Sequence, residues 1–252
     1  MPTIKGILNK DQLDVFLYPL NELIKVGAHK ILLNFYDVEK KLGIYTKTQN
    51  STNFIFIEYS PIFLENFNIS KSLSFGIYNL PEFYNILKQL DCDVVLEISE
   101  EKIIIKENNF VINYFACQAK DTLSSEKQDL DKELLKQKSL AYCLFDENIK
   151  KFLQLMNSIK SEHCIVLGNK QKEEIYFIAT NKNLNITNDL SLKINCSSIK
   201  NDFKIIFEKD KIYSVLSGIK YPCEIFFKEK VMCLTQENEN FKIYHFLVSL
   251  KQ

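Results

Sequence analysis

The sequence predicts an α+β fold of two pseudo-repeated domains, each with two helices packed on antiparallel sheets, four helix-plus-strands units in all. Three features of the chain predict it. Helix-start signals at Asn9, Asn79, Asp146 and about Glu208 recur at intervals of 70, 67 and 62 residues. Each follows a short apolar strand and precedes an apolar stripe at helical spacing, then alternating runs at strand spacing. A charged stretch with no aromatic residue, 118–138, separates the four units into two pairs.

The first unit has a strand at 4–8, a cap at Asn9 with Gln12, and a helix whose Leu13, Phe16, Leu17, Leu20 and Ile24 share a face. Pro19 lies inside that helix and is expected to kink or shorten it, because proline brings no N–H to the helical ladder. Strands follow at 28–36, 42–47 and 53–59, then a loop with Pro61. The second unit is the clearest and opens at 75–90, FGIYNLPEFYNILKQL. Phe75, Ile77 and Leu80 bracket a strand, and Asn79 with Glu82 three residues on is a capping pair. Leu80, Phe83, Leu87 and Leu90 form its stripe, and alternating runs follow at 93–99, 102–106 and 110–116.

The third unit starts with a strand at 140–145 and the cap Asp146, and its helix turns Ile149, Phe152, Leu153, Met156 and Ile159 inward. Strands are expected at 164–168, 174–180 and about 184–194, the last broken near Asn188. The fourth has a strand at 203–207, a short helix with Ile212, Val215, Leu216 and Ile219, a stop from Gly218 to Pro222, and strands at 223–227, 231–235 and 241–247. One helix on three strands is too small to cover both faces of its sheet, so two units must pair and share a core. The expected domains are 1–117 and 139–252, joined by a connector at 118–138 that is either a solvated link or an edge for partners.

At 252 residues, 46 % hydrophobic and 25 % charged, the chain can bury a core. No apolar run reaches the ~18 residues of a membrane helix. Lys5, Lys10 and Asp11 leave no apolar core for a signal peptide, so a soluble intracellular protein without membrane contact is expected. The seven cysteines are odd in number, far apart, and lack C-x-x-C pairs or histidines at ligand spacing. Reduced thiols filling core and strands are expected, with no metal and no cofactor. His163 and Cys164 are strand neighbours that point to opposite faces, a poor geometry for sharing a proton.

Every basic residue except three histidines is lysine; arginine is absent. With the abundant Asn and Ile, an AT-rich coding genome explains this most simply. Its chemical consequence is independent of its origin. The chain lacks the planar fork that reads guanine, so any DNA contact relies on lysine charges that attract the backbone whatever the sequence. Residues 1–118 carry 11 Lys against 14 Asp and Glu, and the remainder 21 against 18, so the second half is the more basic.

Positions opposite the apolar stripes hold Lys25 in the first helix and Lys88 in the second. Lys150, Lys151 and Lys160 lie around the third helix, and Lys209, Lys211 and Lys220 around the fourth. Singly, each suits an ordinary solvated surface; gathered on one face, they would make a diffuse positive lining. Asp11, Asp14 and Glu22 sit on the polar side of the first helix, so its share is acidic or the helix is rotated.

Two domains, each a doubled unit of this kind, joined by a polar connector: in that order the sequence resembles the DNA sliding clamps across nearly its whole length. FGIYNLPEFYNIL, the turn at 91–93 and VVLEIS at 94–99 look most like the T-even-type bacteriophage clamp, which has an aliphatic-Tyr-Asp-Leu helix opening at that place. The proliferating cell nuclear antigen clamps share the plan. Two domains, against three in the bacterial beta clamp, match the branch that assembles as trimers.

The resemblance implies a homotrimeric ring that encircles double-stranded DNA without regard to sequence and tethers a replicative DNA polymerase for processivity. Four helices of each chain would line the channel, and an ATP-dependent clamp loader would open the ring. It implies that the strand at 110–116, with Phe110, Ile112 and Phe115, pairs with about 189–194 of the next subunit, including Leu192 and Ile194. A strand buried in its own domain fits those residues as well. The resemblance also implies an apolar partner peptide entering a pocket near Leu123, Leu130, Val231, Tyr244, Phe246 and Val248, although Phe246 and Val248 equally suit plain sheet core. The implied location is the host bacterial cytoplasm for a phage protein, or the nucleus for a eukaryotic one.

The chain has no Walker A loop, G-x-G-x-x-G, H-E-x-x-H or nucleophile elbow, so a non-enzymatic protein is expected. Two other readings stand beside the ring. One is a monomeric or dimeric processivity factor holding DNA on one basic face. The other is an enzyme with a Cys–His site such as Cys164 with His245.

Overall fold

The computed structural model describes residues 4–47, 53–117, 136–180, 189–196 and 198–250. The chain divides into two compact units, Met1–Glu126 with Asn238–Ile243, and Lys127–Glu237 with Tyr244–Gln252. Most of the expected connector, 118–135, lies outside the described residues. That 238–243 groups with the first unit is a packing outcome which no linker signal encodes.

The first unit runs β1 (Ile4–Leu8), α1 (Lys10–Lys25), β2 (Ile31–Tyr36), β3 (Lys41–Lys47), β4 (Asn53–Tyr59), β5 (Phe67–Ile69), β6 (Leu73–Ile77), α2 (Leu80–Lys88), β7 (Val94–Ile98), β8 (Lys102–Glu107) and β9 (Phe110–Phe115). The second runs β10 (Ala141–Leu144), α3 (Glu147–Ser158), β11 (His163–Asn169), β12 (Glu174–Thr180), β13 (Leu190–Asn195), β14 (Phe203–Glu208), α4 (Lys209–Ser217), β15 (Cys223–Lys228), β16 (Val231–Glu237) and β17 (Phe241–Val248). Among the described residues the expected mixture of helices and antiparallel strands is what forms. Leu90, Ile159 and Ile219 fall beyond the ends of their helices, and β5 is a strand that sequence periodicity did not indicate.

The helix starts form where side-chain oxygens meet free amides. Asn9 Oδ1 accepts from the Gln12 N–H at 2.8 Å while the Asn9 N–H donates to Gln12 Oε1 at 3.2 Å, a closed capping box. Asn79 accepts from the Glu82 N–H at 3.3 Å and Asp146 from the Ile149 N–H at 2.9 Å. Glu208 departs from expectation. Its carboxylate takes the Lys211 ammonium at 2.9 Å and gives α4 no side-chain cap. Pro19 does not shorten the helix, because α1 runs 16 residues, Lys10–Lys25, with Pro19 inside it. The buried Phe16, Leu17, Leu20 and Leu23 fasten both sides of the break, and that packing outweighs one missing helical hydrogen bond.

Strand order explains why the repeats come in pairs. The first unit has the orders β5-β1-β7-β8-β9 and β6-β2-β3-β4; the second has β10-β15-β16-β17 and β14-β11-β12-β13. The strand that opens each repeat therefore completes the sheet of the other repeat: β1 pairs with β7, β6 with β2, β10 with β15, and β14 with β11, all antiparallel. Neither repeat satisfies its own first strand, so the pair folds as one body.

Rings fill both cores. In the first unit Tyr59 packs on Phe63 and Phe16 with centroids 4.6 and 5.6 Å away, and its hydroxyl donates to the Phe16 carbonyl at 3.0 Å. Burial pushes that phenol well above its ordinary pKa. In the second, Phe177 packs on Phe152 and Phe227, each at 6.1 Å, and Phe203 stacks on Phe227 at 5.5 Å. Each unit also seats a ring over a strand glycine directly opposite it. A Cβ on Gly6 would overlap Phe67, and one on Gly168 would overlap Phe203.

Candidate nucleic-acid interface and sheet edges

Within each unit the two helices pack side by side, α1 with α2 and α3 with α4. Their apolar stripes are buried, which leaves the opposite faces as the surface on which the predicted lysines lie. Lys25, Lys88, Lys150, Lys151, Lys160 and Lys220 are exposed, whereas Lys209 and Lys211 are partly covered. Lys25 is held by Glu22 at 2.7 Å, Lys150 by Glu147 at 3.4 Å, and Lys88 lies 5.9 Å from the Tyr84 ring centre. Asp11 and Asp14 are exposed as expected. Glu22 is not: only 5 % of it reaches solvent, although helical spacing places it opposite the stripe.

The two helical surfaces differ in sign. From the start of each helix through the turn after it, the first unit presents Lys10, Lys25, Lys30 and Lys88 against Asp11, Asp14, Glu82, Asp91 and Asp93, with Glu22 buried beneath Lys25. The corresponding stretches of the second unit contain the other six predicted lysines, opposed by Glu147, Glu162 and Asp210 and, at the two helix caps, by Asp146 and Glu208.

Two strands lie at open sheet edges, and one of them turns apolar residues toward solvent. β9 closes one edge of the first unit, with Phe110 and Phe115 68 % and 69 % exposed. Tyr114 instead turns inward, meeting Phe83 of α2 at 5.1 Å, and Ile112 is half-buried on the same side. Strand alternation therefore puts Phe115 on the face opposite Phe110 and Ile112. β13 closes an edge of the second unit, with Leu192 and Ile194 half-buried.

The second unit has a surface cavity of about 890 Å³ lined by Leu140, Phe203, Lys204, Lys230, Val248 and Leu250 among others. The end of the chain is strapped beside it: the Ser249 N–H donates to the Lys230 carbonyl and the Leu250 N–H to the Ile206 carbonyl, both at 2.8 Å. Of the pocket residues expected from sequence, Val248 lines this cavity and Val231 follows the lining Lys230. Tyr244 is buried and Phe246 half-buried. Leu123 and Leu130 lie outside the described residues. Asp202, Lys204, Glu229 and Lys230 on the rim were missed by sequence reasoning. They sit at strand starts and a hairpin turn, positions that read as plain surface until the strands are paired.

Cys164 is fully buried and its thiol pushed up to about 12, while burial holds the His245 imidazole down to about 4. Neither ring nitrogen of His245 has a hydrogen-bond partner among the described residues, so the pair is not a thiol activated by a base. No group of three metal-ligating side chains forms among the described residues, and no described helix is long and apolar enough to cross a membrane.

No protein-family model matches the sequence, and no curated protein matches it. Solved structures do. The chain superposes on the A. fulgidus PCNA bound to the C-terminal region of FEN-1 with a TM-score of 0.75 at 13 % identity, covering 99 % of each chain. The Entamoeba histolytica proliferating cellular nuclear antigen gives 0.73 at 14 % identity with full coverage of both. The fold is that of the DNA sliding clamps. The Helicobacter pylori beta clamp bound to a DNA ligase peptide also matches, at 0.73 and 13 % identity, over all of this chain and 67 % of that one. The clamp fold survives at such identity because it asks for apolar periodicity and interlocked strands, not for particular side chains.

Proposed function

We propose that this chain is a DNA sliding clamp, a non-enzymatic ring that encircles duplex DNA and tethers a replicative polymerase. The observation that carries it is likeness to clamps from end to end of the chain. Three copies close the ring, β9 of one adding to β13 of the next, which pairs two open sheet edges at once. Lysines on the helical surfaces attract the phosphate backbone without reading bases, so the ring slides. An ATP-dependent loader opens it.

Partners dock through a short apolar anchor in the cavity beside Val248 and Leu250. Support comes from the FEN-1 and DNA ligase peptides bound by the structurally similar clamps.

Light scattering tests the ring. A particle of about three times the 29.5 kDa chain is expected, retained on nicked circular DNA and lost when the circle is cut. A monomer that binds linear and circular duplex alike would replace the ring with a one-face DNA holder.

A further inference from the structure

We propose that duplex DNA is engaged through the second unit alone, on the surface of α3, the turn at 159–162 and the start of α4, and that α1 and α2 contribute no net attraction. This rests on the sliding-clamp reading. The first unit's helical surface carries more carboxylates than lysines, and its lysines are already engaged. Lys10 donates to the Leu90 carbonyl at 2.9 Å and lies 3.7 Å from Asp91. Lys25 is paired with the buried Glu22, and Lys30 sits 4.1 Å above the Tyr78 ring. Asp11 and Asp14 remain exposed and repel phosphate.

In the second unit Lys150 is paired with Glu147 and Lys211 with Glu208. Lys151, Lys160 and Lys209 form no ion pair among the described residues. The Lys209 N–H donates to the Glu162 carbonyl at 2.9 Å, which brings the turn containing Lys160 against the start of α4. Screening over about 8 Å at physiological salt makes local sign decisive, so carboxylates elsewhere on the chain do not cancel this patch. Without arginine the contact is made by point charges on flexible stems, suited to a backbone that moves past.

The test uses the full-length protein and a fluorescein-labelled nicked circular duplex, on which a ring is retained, with the bound fraction followed as salt is varied. The triple variant K151Q/K160Q/K209Q is expected to lose at least tenfold in affinity. Its log affinity against log salt should become shallower by about 2 to 3, near 0.9 for each phosphate contact removed. The double variant K25Q/K88Q is expected to change affinity less than twofold, and D11N/D14N to tighten binding. Equal losses in the triple and double variants, or a larger loss in the double, would overturn the assignment while leaving the clamp standing. A wild-type protein that is trimeric, retained on circles and unaffected by the triple variant overturns it too. A wild-type protein that neither trimerises nor binds duplex sinks the clamp reading and this inference together.

Discussion

The two units share a plan and differ in charge. Each sets two helices over two interlocked sheets, with strand order β1-β7-β8-β9 answered by β10-β15-β16-β17, and β6-β2-β3-β4 by β14-β11-β12-β13. Yet the helical surface of one is acidic and that of the other basic. Buried apolar positions fix the architecture, and exposed charges are free to diverge because a surface substitution changes stability by only about 0.5 kcal/mol or less. The difference teaches where to look for function: in what the duplicated frame does not constrain.

Breaking the ring should have the largest effect. Phe115→Asp puts charge on the exposed β9 edge without disturbing the core, and the scattering mass is expected to fall from three chains to one at an unchanged urea midpoint. A trimer that survives would remove β9 from the interface.

Acid should weaken the second unit selectively. Burial lowers the His245 pKa from 6.5 to about 4. Between those values the unfolded chain binds the proton and the native chain refuses it, so stability is complete above pH 6.5 and falls as pH drops toward 4. The loss amounts to about 3 kcal/mol. Hydrogen exchange at pH 4.5 should show β17 and its neighbours opening before β7 and β8, and His245→Leu should abolish the difference. An acid limb that persists unchanged in the variant assigns it to other groups.

The glycines under rings separate the units more finely. Phe203 is stacked on the buried Phe227, whereas Phe67 sits on the three-residue strand β5, which can yield. Gly168→Ala is therefore expected to cost about 2 to 3 kcal/mol in urea unfolding and Gly6→Ala about 1 kcal/mol. Equal costs would show that β5 is as firmly held as β14.

Helix caps give the smallest effects. Asp146→Ala and Asn79→Ala should each cost about 1 kcal/mol, and Glu208→Ala close to nothing, since α4 takes no cap from it. A Glu208 loss matching Asp146 would mean that its ion pair with Lys211 stabilises the helix start as well as a cap does.

Much of the fold was legible in the residues themselves. Asn9 with Gln12, Asn79 with Glu82, and Asp146 announced three helices by hydrogen bonds that span three residues and need no tertiary partner. Period alone separated helices from strands, and it told which side of each is apolar. The eight lysines were expected the same way, at positions opposite the stripes or around those helices.

Tertiary structure decided the rest, because a period states which face is buried and never against what. Nothing local says that β1 completes the sheet of β7 rather than that of β2, that β5 joins β1, or that 238–243 packs with the first unit. Glu22 was buried although helical spacing puts it opposite the apolar stripe, and α1 passed Pro19 because packing on both sides outweighed one hydrogen bond. The cavity by Val248 exists only where a hairpin turn, two strand starts and the end of the chain meet. Short-range hydrogen bonds and periodicity wrote the elements into the sequence; long-range burial, summed over residues far apart in the chain, chose their partners.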